Sequence, residues 1–317
     1  MKILEVKNLN LGFDLSDGFC QAIYGVSFDL EKGETLAIVG ESGCGKTIST
    51  MSILQLLPET ARITGGEILY NNNNLLGFNQ KQMQKIRGKK IALIPQDPMT
   101  SLNPLYTIGN QLLEIIELHQ GLRGKEAFDI AVEALERVKI PDAREKMKAY
   151  PHEFSGGMKQ RVIIAMALAC NAEVIIADEP TTALDVTVQA QIMEILREVK
   201  SKYNLSLILI THDLGIVAEN ADKIAVMYAG RIVEYASKDE LFNNPKHPYT
   251  RALLNVILDI NTTDVKTIEG QPPSITDKIT GCPFHPRCQD CMEICTKIDP
   301  QLKEINYCAK TACHLYD

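Results

Sequence analysis

The sequence GESGCGKT occupies residues 40–47 of the 317-residue chain. The apolar run at residues 34–39 before it predicts a buried strand, and residues 48–57 after it predict a helix that stops at Pro58. A strand, a glycine-rich loop and a helix in this order are typical of a loop that binds phosphate groups. The alternative is a glycine turn that contains a lysine by chance, but every fixed position of the pattern is filled.

Each residue type in this loop has a chemical reason to be there. The glycines allow backbone amides to surround an anion where a Cβ atom would obstruct it. Lys46 would place its charge on the β- and γ-phosphates of a nucleotide, and the Thr47 hydroxyl is a ligand for Mg²⁺. Cys44 stands where serine is usual, so only its backbone should matter. The expected binding residues are Gly40, Glu41, Ser42, Gly43, Cys44, Gly45, Lys46 and Thr47.

Composition excludes several classes of protein. The length is sufficient for a large core and one or two domains. A net charge of −7 argues against nucleic acid as a main partner. No apolar run is as long as a membrane span, and the first residues show no signal-peptide pattern. We therefore expect a cytoplasmic chain.

Strand-like and helical patterns alternate along the chain. Residues 3–8 and 26–30 predict strands on either side of a loop that holds Phe13 and Phe19. Residues 107–138 show a helical spacing of apolar residues and predict a helical insert. This alternation predicts an α/β fold with a mostly parallel sheet covered on both faces. Further strands are expected at 67–70, 91–94, 174–177, 205–211, 223–228 and 231–235, and further helices at 158–170 and 188–202.

Two acids, Asp178 and Glu179, directly follow the apolar strand predicted at residues 174–177. Strand C-termini in such sheets face the ligand. Asp178 would hold Mg²⁺, and Glu179 would polarise an attacking water. An acidic turn after a strand is common by itself, but the phosphate loop upstream makes the functional interpretation the better one.

Six motifs in order make the chain similar to the ATP-binding cassette (ABC) ATPases over about residues 3–235. Each motif alone is weak, but the ordered set is specific. The resemblance implies a P-loop NTPase core with a mostly parallel sheet, an antiparallel β subdomain, a helical insert and a small cysteine-rich C-terminal domain. The motifs are the phosphate loop, Gln96, Phe154-Ser-Gly-Gly-Met158, Asp178-Glu179-Pro180, Ala183-Leu-Asp185 and His212.

The resemblance also implies a division into domains. Residues 1–240 would form the ATPase domain, with a helical subdomain inserted at about residues 97–165. Residues 241–317 would form a C-terminal extension, in which residues 261–278 form a connector and residues 280–317 carry a cysteine cluster.

The resemblance implies roles for residues outside the phosphate loop. Gln96 corresponds to a glutamine that reaches Mg²⁺ and the attacking water, and His212 to a histidine that contacts the γ-phosphate. With Glu179 they would form the catalytic set. Phe13 matches the aromatic residue that stacks on adenine, with Phe19 as the alternative. Without the motif set, Gln96 would be an ordinary loop residue, His212 a structural histidine and Phe13 a core residue.

Three residues, Ser155, Gly156 and Gly157, correspond to the signature loop of the family, and Asp185 to an acid at the dimer interface. In the family this loop binds the γ-phosphate of ATP held by a second subunit. The residues on either side depart from the usual Leu and Gln, so the last polar contact is absent. The alternatives are a Gly-Gly turn before a core helix, and a helix N-cap for Asp185.

Residues 244–254 and 96–104 resemble the dipeptide, oligopeptide and nickel importer branch of the family. The resemblance implies an ATP-hydrolysing importer subunit on the cytoplasmic face of the membrane. Its partners would be a second ABC ATPase subunit, two transmembrane permeases and an extracytoplasmic peptide-binding protein. The alternatives are an importer of nickel or another small solute, and a non-transport ABC ATPase of DNA repair or translation. Such proteins usually have two cassettes, coiled-coil inserts or basic arms, which this sequence lacks.

Six of the nine cysteines fall between residues 282 and 313. Crowded thiolates in a reducing compartment repel each other unless a cation holds them, and zinc and an iron–sulfur cluster both fit. The resemblance implies a [4Fe–4S] cluster on Cys282, Cys288, Cys295 and Cys313, with Cys291 and Cys308 as alternates. His285 and His314 would instead complete a zinc site.

Overall fold

The computed structural model describes residues 1–16, 18–182, 184–258, 268–277 and 279–317. The chain forms two compact units, residues 1–77 together with 211–317, and residues 78–210. The first unit therefore contains both the phosphate loop and the cysteine-rich C-terminal extension, residues 241–317, which is called the tail below. Residues 261–267 and 278 of the predicted connector lie outside the described residues.

Strands and helices alternate as the sequence predicts, and the α/β fold class is confirmed. The strands are β1 Lys2–Leu15, β2 Gly18–Glu31, β3 Thr35–Val39, β4 Ala61–Tyr70, β5 Asn73–Asn74, β6 Ile91–Ile94, β7 Val174–Asp178, β8 Ser206–Ile210, β9 Lys223–Tyr228, β10 Arg231–Ser237, β11 Lys303–Asn306 and β12 Ala309–Thr311. The helices are α1 Lys46–Met51, α2 Gln80–Gln84, α3 Pro98–Ser101, α4 Ile108–Gln120, α5 Gly124–Arg137, α6 Ala143–Lys146, α7 Gly156–Ala169, α8 Val186–Tyr203, α9 Leu214–Asn220, α10 Lys238–Asn243 and α11 Pro248–Leu258.

The first unit contains two groups of paired strands. The antiparallel group has the order β2-β1-β4-β5. The second has the order β11-β12-β10-β9-β3, in which β3 pairs in parallel with β9 and the remaining pairs are antiparallel. Every residue of β3 is buried, as expected for a parallel strand covered on both faces. This buried strand fixes where the phosphate loop begins.

The second unit contains three parallel strands in the order β6-β7-β8, and β7 and β8 are buried throughout. Helices α4 and α5 cover the region in which the sequence predicts a helical insert. Thr107 caps the N-terminus of α4 by accepting a hydrogen bond from the Asn110 amide at 3.2 Å. Asp178 and Glu179, the acids predicted to face a ligand, lie at the carboxyl end of β7.

Two predicted elements have different bounds in the structure. The prediction of a loop that holds Phe13 and Phe19 is wrong, because β1 and β2 form one long hairpin and both residues lie within its strands. In the register of this pair, Phe13 is opposite Cys20 and Asp14 is opposite Phe19. The strands continue because register shifts along the pair let both bend without ending. The helix after the phosphate loop ends at Met51, and a 3₁₀ turn follows to Leu54.

The cysteine-rich tail adds strands that the sequence pattern did not reveal. Strand β12 pairs with β10, and β11 pairs with β12, so the tail extends the same group of strands that contains β3. One hydrophobic core joins Val39 of β3 and Tyr228 of β9 to Tyr249, Phe284 and Cys295 of the tail. The tail therefore shares the core on which the phosphate loop rests.

Candidate functional site

The phosphate loop leaves β3 at Gly40 and enters α1 at Lys46. Three of its glycines have a positive φ, 152° at Gly40, 78° at Gly43 and 106° at Gly45, a region that side chains disfavour. A Cβ atom on Gly40 would lie 2.2 Å from the carbonyl oxygen of Met227. The glycine pattern is therefore set by backbone conformation and by the close approach of β9.

Backbone groups also fix the rest of the loop. The Lys46 ammonium is buried and donates hydrogen bonds to the carbonyl oxygens of Gly40 and Glu41, at 2.8 and 3.0 Å. The Cys44 carbonyl accepts a hydrogen bond from the Gly230 amide at 2.9 Å. Burial raises the pKa of the Cys44 thiol, so this side chain is a neutral, packed group. Ser42 is exposed and Thr47 is half-buried.

Glu41 has two partners in the tail that the sequence gave no reason to expect. Arg287 forms a bidentate ion pair with its carboxylate, with N···O distances of 2.7 and 3.0 Å. Its backbone amide donates to the hydroxyl of Tyr249 at 2.9 Å. A signal for this contact is missing from the sequence, because 246 residues separate Glu41 from Arg287.

His212 and Phe13 belong to the same unit as the loop. His212 is exposed and follows Thr211, whose amide donates to the Ile38 carbonyl of β3 at 3.3 Å. Asp213, one residue further on, caps α9. Phe13 is half-buried in β1, and it pairs in register with Cys20 and with Ala61 of β4.

The second unit brings Gln96 and Glu179 together. The Gln96 amide donates a hydrogen bond to the Glu179 carboxylate at 3.0 Å, and the Thr182 hydroxyl donates to the same oxygen at 2.7 Å. Glu179 has a φ of 44°, which is rare for a residue with a side chain. Strained backbone of this kind occurs at functional sites. Asp178, the last residue of β7, is 2% exposed and is therefore largely shielded from bulk water.

The signature loop and Asp185 cap two helices of the second unit. The Ser155 hydroxyl caps α7 by accepting from the Met158 amide, and the Asp185 carboxylate caps α8 by accepting from the Val188 amide. A Cβ atom on Gly157 would lie 2.5 Å from a methyl group of Val188, so only glycine fits there. Asp185 therefore has the helix-capping role that the sequence offered as the alternative, and the signature loop lies at the capped N-terminus of α7.

Four cysteines, Cys282, Cys288, Cys295 and Cys313, line one small cavity in the tail. Cys291 is exposed, and Cys308 lies at the turn between β11 and β12. None of the nine cysteines, all of which are described, is in a disulfide. Within the described residues, no group of three or more His, Cys, Asp or Glu side chains has the arrangement of a metal site.

Burial changes the acidity of two of the thiols that line this cavity. Burial raises the pKa of Cys282 to about 12 and that of Cys288 to about 11, so both are neutral near pH 7. His314 also lines the cavity, but its ring nitrogens face the Asp317 carboxylate and the Ile298 carbonyl. This arrangement disfavours the zinc site that His314 was expected to complete.

No helix among the described residues combines the length and the apolar character needed to cross a bilayer.

Two family models match separate parts of the chain, and curated proteins match almost all of it. Residues 23–182 match the model "ABC transporter", and residues 233–295 match "Oligopeptide/dipeptide transporter, C-terminal region". The dipeptide transport ATP-binding protein DppD of Bacillus subtilis (strain 168) is 50% identical over 302 residues, which are 94% of this chain and 90% of that protein. The oligopeptide transport ATP-binding protein OppD of Salmonella typhimurium is 49% identical over 300 residues, 94% of this chain and 89% of that protein.

Solved structures agree with this assignment. The ATP-binding cassette MJ0796, solved as a dimer in a post-hydrolysis state with ADP and Pi, superposes with a TM-score of 0.66 at 27% identity, covering 74% of this chain and 98% of that one. CbiO1 from Clostridium perfringens, part of the ABC transporter complex CbiONQ, gives 0.66 at 29% identity, covering 77% and 91%. The chain is an ATP-hydrolysing subunit and belongs to the ABC transporter family.

Proposed function

We propose that this ATPase drives the import of dipeptides or oligopeptides. One observation supports this substrate class: residues 233–295, which include the first part of the tail, match the C-terminal region of oligopeptide and dipeptide transporters. Relatives named for dipeptide and oligopeptide transport are about half identical over nearly the full length.

Hydrolysis of ATP would be a transfer of the γ-phosphoryl group to water, in which the protein supplies positioning and charge neutralisation. Lys46 and the amides of residues 40–47 would bind the phosphates. The nearly buried Asp178 carboxylate and the Thr47 hydroxyl are hard oxygen ligands suited to Mg²⁺, which neutralises phosphate charge. Glu179 would orient and polarise the attacking water, with Gln96 holding its carboxylate.

The variant Glu179→Gln tests these roles. We expect it to bind ATP normally and to lose at least about 100-fold in hydrolysis rate, since only the water-polarising group is removed. Phosphate release measures hydrolysis, and calorimetry measures binding. The control is Asp213→Asn, which makes the same change from acid to amide at the N-cap of α9 and should leave hydrolysis largely intact. Normal hydrolysis by Glu179→Gln would remove Glu179 from the catalytic set.

A complete site would need a second ATPase subunit, identical or homologous. Ser155, Gly156 and Gly157 open the 14-residue helix α7, and amides at such a helix start attract an anion. They would bind the γ-phosphate held by the facing subunit, and Asp185 would cross the interface. His212 would contact a γ-phosphate and orient the attacking water. Light scattering of Glu179→Gln with ATP should therefore detect a dimer, and a strict monomer that hydrolyses ATP at full rate would contradict this.

The ATPase dimer would lie on the cytoplasmic face of the membrane, and its partners would be two transmembrane permeases and an extracytoplasmic peptide-binding protein. ATP hydrolysis by the assembled complex in liposomes identifies the solute. Dipeptides or longer peptides should stimulate hydrolysis with the binding protein present, and Ni²⁺ should not. Stimulation by Ni²⁺ alone would favour the nickel importer instead.

The cavity lined by Cys282, Cys288, Cys295 and Cys313 is proposed to hold a [4Fe–4S] cluster. Four sulfur ligands suit this cluster, and the engaged ring of His314 argues against a mixed cysteine and histidine zinc site. Cys282 and Cys288, whose pKa is raised by burial, would have to lose their protons when a cation enters. What a cluster would supply here is four iron–thiolate bonds that join distant parts of the tail.

Anaerobic purification tests the cluster. The protein should be brown, with broad absorption near about 400 nm from iron–sulfur charge transfer. Cys288→Ser should lose this absorption, and Cys308→Ser, the matched control outside the cavity, should keep it. A colourless protein with one equivalent of zinc would decide for zinc, and one with neither metal would leave four packed thiols.

A further inference from the structure

We propose that Arg287 is a positioning residue of the ATP site, which holds the phosphate loop of its own chain in the nucleotide-binding conformation by binding the Glu41 carboxylate. The inference rests on the proposed function only in taking residues 40–47 as the nucleotide loop. It makes the cysteine-bearing tail a working part of the ATP site.

The contact has the geometry of a strong, directional ion pair. Two guanidinium nitrogens of Arg287 donate to the two carboxylate oxygens of Glu41, at 2.7 and 3.0 Å. The Arg287 side chain is 5% exposed and that of Glu41 is 22% exposed. A bidentate pair fixes orientation as well as distance, and water screens it little at this depth. Removing one partner would leave a charge without compensation in a mostly buried place.

Arg287 is itself fixed from several sides, so it can act as an anchor. Its guanidinium also donates to the Glu269 carbonyl at 2.9 Å and to the Tyr228 hydroxyl at 3.3 Å. Its amide donates to the Phe284 carbonyl at 3.0 Å, within the 3₁₀ turn His285–Arg287. The arginine therefore imposes a position on Glu41 and does not follow it.

The position of Glu41 affects the rest of the loop, because its amide, carbonyl and carboxylate all form hydrogen bonds. Its amide donates to the Tyr249 hydroxyl at 2.9 Å, and its carbonyl accepts from the Lys46 ammonium at 3.0 Å. A shift of Glu41 would therefore displace the lysine that is expected to contact the β- and γ-phosphates. The tail acts on both sides of this residue, through Arg287 and through Tyr249.

The same arginine is next to the cysteine cavity. Arg287 directly precedes Cys288, and its turn follows Cys282, whose carbonyl accepts from the His285 amide at 3.0 Å. The contact to Glu41 therefore starts from the segment that also carries two of the cavity-lining cysteines.

The test measures the dissociation constant for ATP with Mg²⁺ by calorimetry on the full-length protein. Arg287→Met keeps the length and apolar stem of the side chain and removes the charge. It should weaken ATP binding about tenfold, which corresponds to about 1.4 kcal/mol. Glu41→Gln removes the same contact from the other side and should weaken binding equally. Arg287→Lys keeps the positive charge but cannot form the bidentate contact, and it should weaken ATP binding by an intermediate factor of about three.

The double variant separates positioning from general stability. If both residues act through one contact, Arg287→Met with Glu41→Gln should bind ATP no more weakly than either single variant. Hydrogen exchange of the amides of residues 41–47 should increase in each variant. Arg251→Met is the matched control, because the contacts of Arg251 to Tyr316, the Pro245 carbonyl and Asp290 all lie within the tail. It should bind ATP as the wild type does.

Three outcomes would overturn the inference: an unchanged dissociation constant in folded Arg287→Met, losses that add in the double variant, or an equal loss in Arg251→Met. If Arg287→Met does not fold, Glu41→Gln decides by the same criterion. A wild-type chain that binds no ATP would instead contradict the proposed function.

Discussion

The phosphate loop at residues 40–47 and the cysteine-bearing segment at residues 282–313 lie in one compact unit but are stabilised in different ways. The loop is held largely through its backbone: carbonyl oxygens of Gly40 and Glu41 accept hydrogen bonds from Lys46, and the Cys44 carbonyl accepts one from Gly230. Its conformation depends on glycines with positive φ, and the Glu41 carboxylate adds a side-chain contact to Arg287.

The cysteine-bearing segment is held through side chains. The Phe284 ring is 2% exposed and lies 5.2 Å from the Tyr228 ring and 5.3 Å from the Tyr249 ring, measured between centroids. Its four cavity-lining thiols would matter individually as ligands. The difference teaches that a cysteine-to-serine substitution should matter little in the loop and much in the cysteine-bearing segment. The following predictions test how each region is held.

Phe284→Ala should have the largest effect. It removes a buried ring from the aromatic cluster and should lower the free energy of unfolding by about 3–5 kcal/mol. Urea unfolding followed by circular dichroism measures this. Phe128→Ala, a half-buried ring on α5, is the control and should cost about 1 kcal/mol. Equal costs would show that the tail is not held by this cluster.

Lys46→Ala should raise the dissociation constant for ATP at least about 100-fold, equivalent to about 2.7 kcal/mol, because the charge expected on the phosphates is lost. Equilibrium dialysis measures the constant. Lys125→Ala, an exposed lysine of α5, should change nothing. Binding by Lys46→Ala at wild-type strength would contradict the assignment of the loop.

Cys44→Ser should have the smallest effect. Because the loop uses the backbone of this residue, the affinity for ATP should change by less than about 0.5 kcal/mol in the same dialysis measurement. Cys282→Ser, the same substitution in the other region, should abolish the absorption expected of a bound cluster. A large loss of ATP affinity in Cys44→Ser would mean that the thiol itself contributes to the loop.

The parts of the fold that follow from local patterns were predictable from the sequence. The buried strands β3, β7 and β8, the helical insert and the glycine loop each have a signature within about ten residues. The motif order put Gln96 and Glu179 in one expected catalytic set, but it did not predict the 3.0 Å hydrogen bond between them.

The parts that depend on distant contacts were not predictable. Strands β11 and β12 are short, and proline and cysteine obscure any alternation around them. The β1–β2 hairpin was predicted too short because its register shifts break the alternation of apolar residues. Arg287 stands in the sequence as an ordinary residue between two cysteines, and only the packing of the tail brings it to Glu41.

The pairing of β12 with β10 has a consequence for chain synthesis and for truncation. Until residues 309–311 have been synthesised and have folded, β10 has one unpaired edge with free backbone donors and acceptors, which can recruit strands from other molecules. A frameshift or protease cut upstream of residue 309 would leave that edge open permanently. Fragments of this subunit that lack β12 should therefore be prone to aggregate.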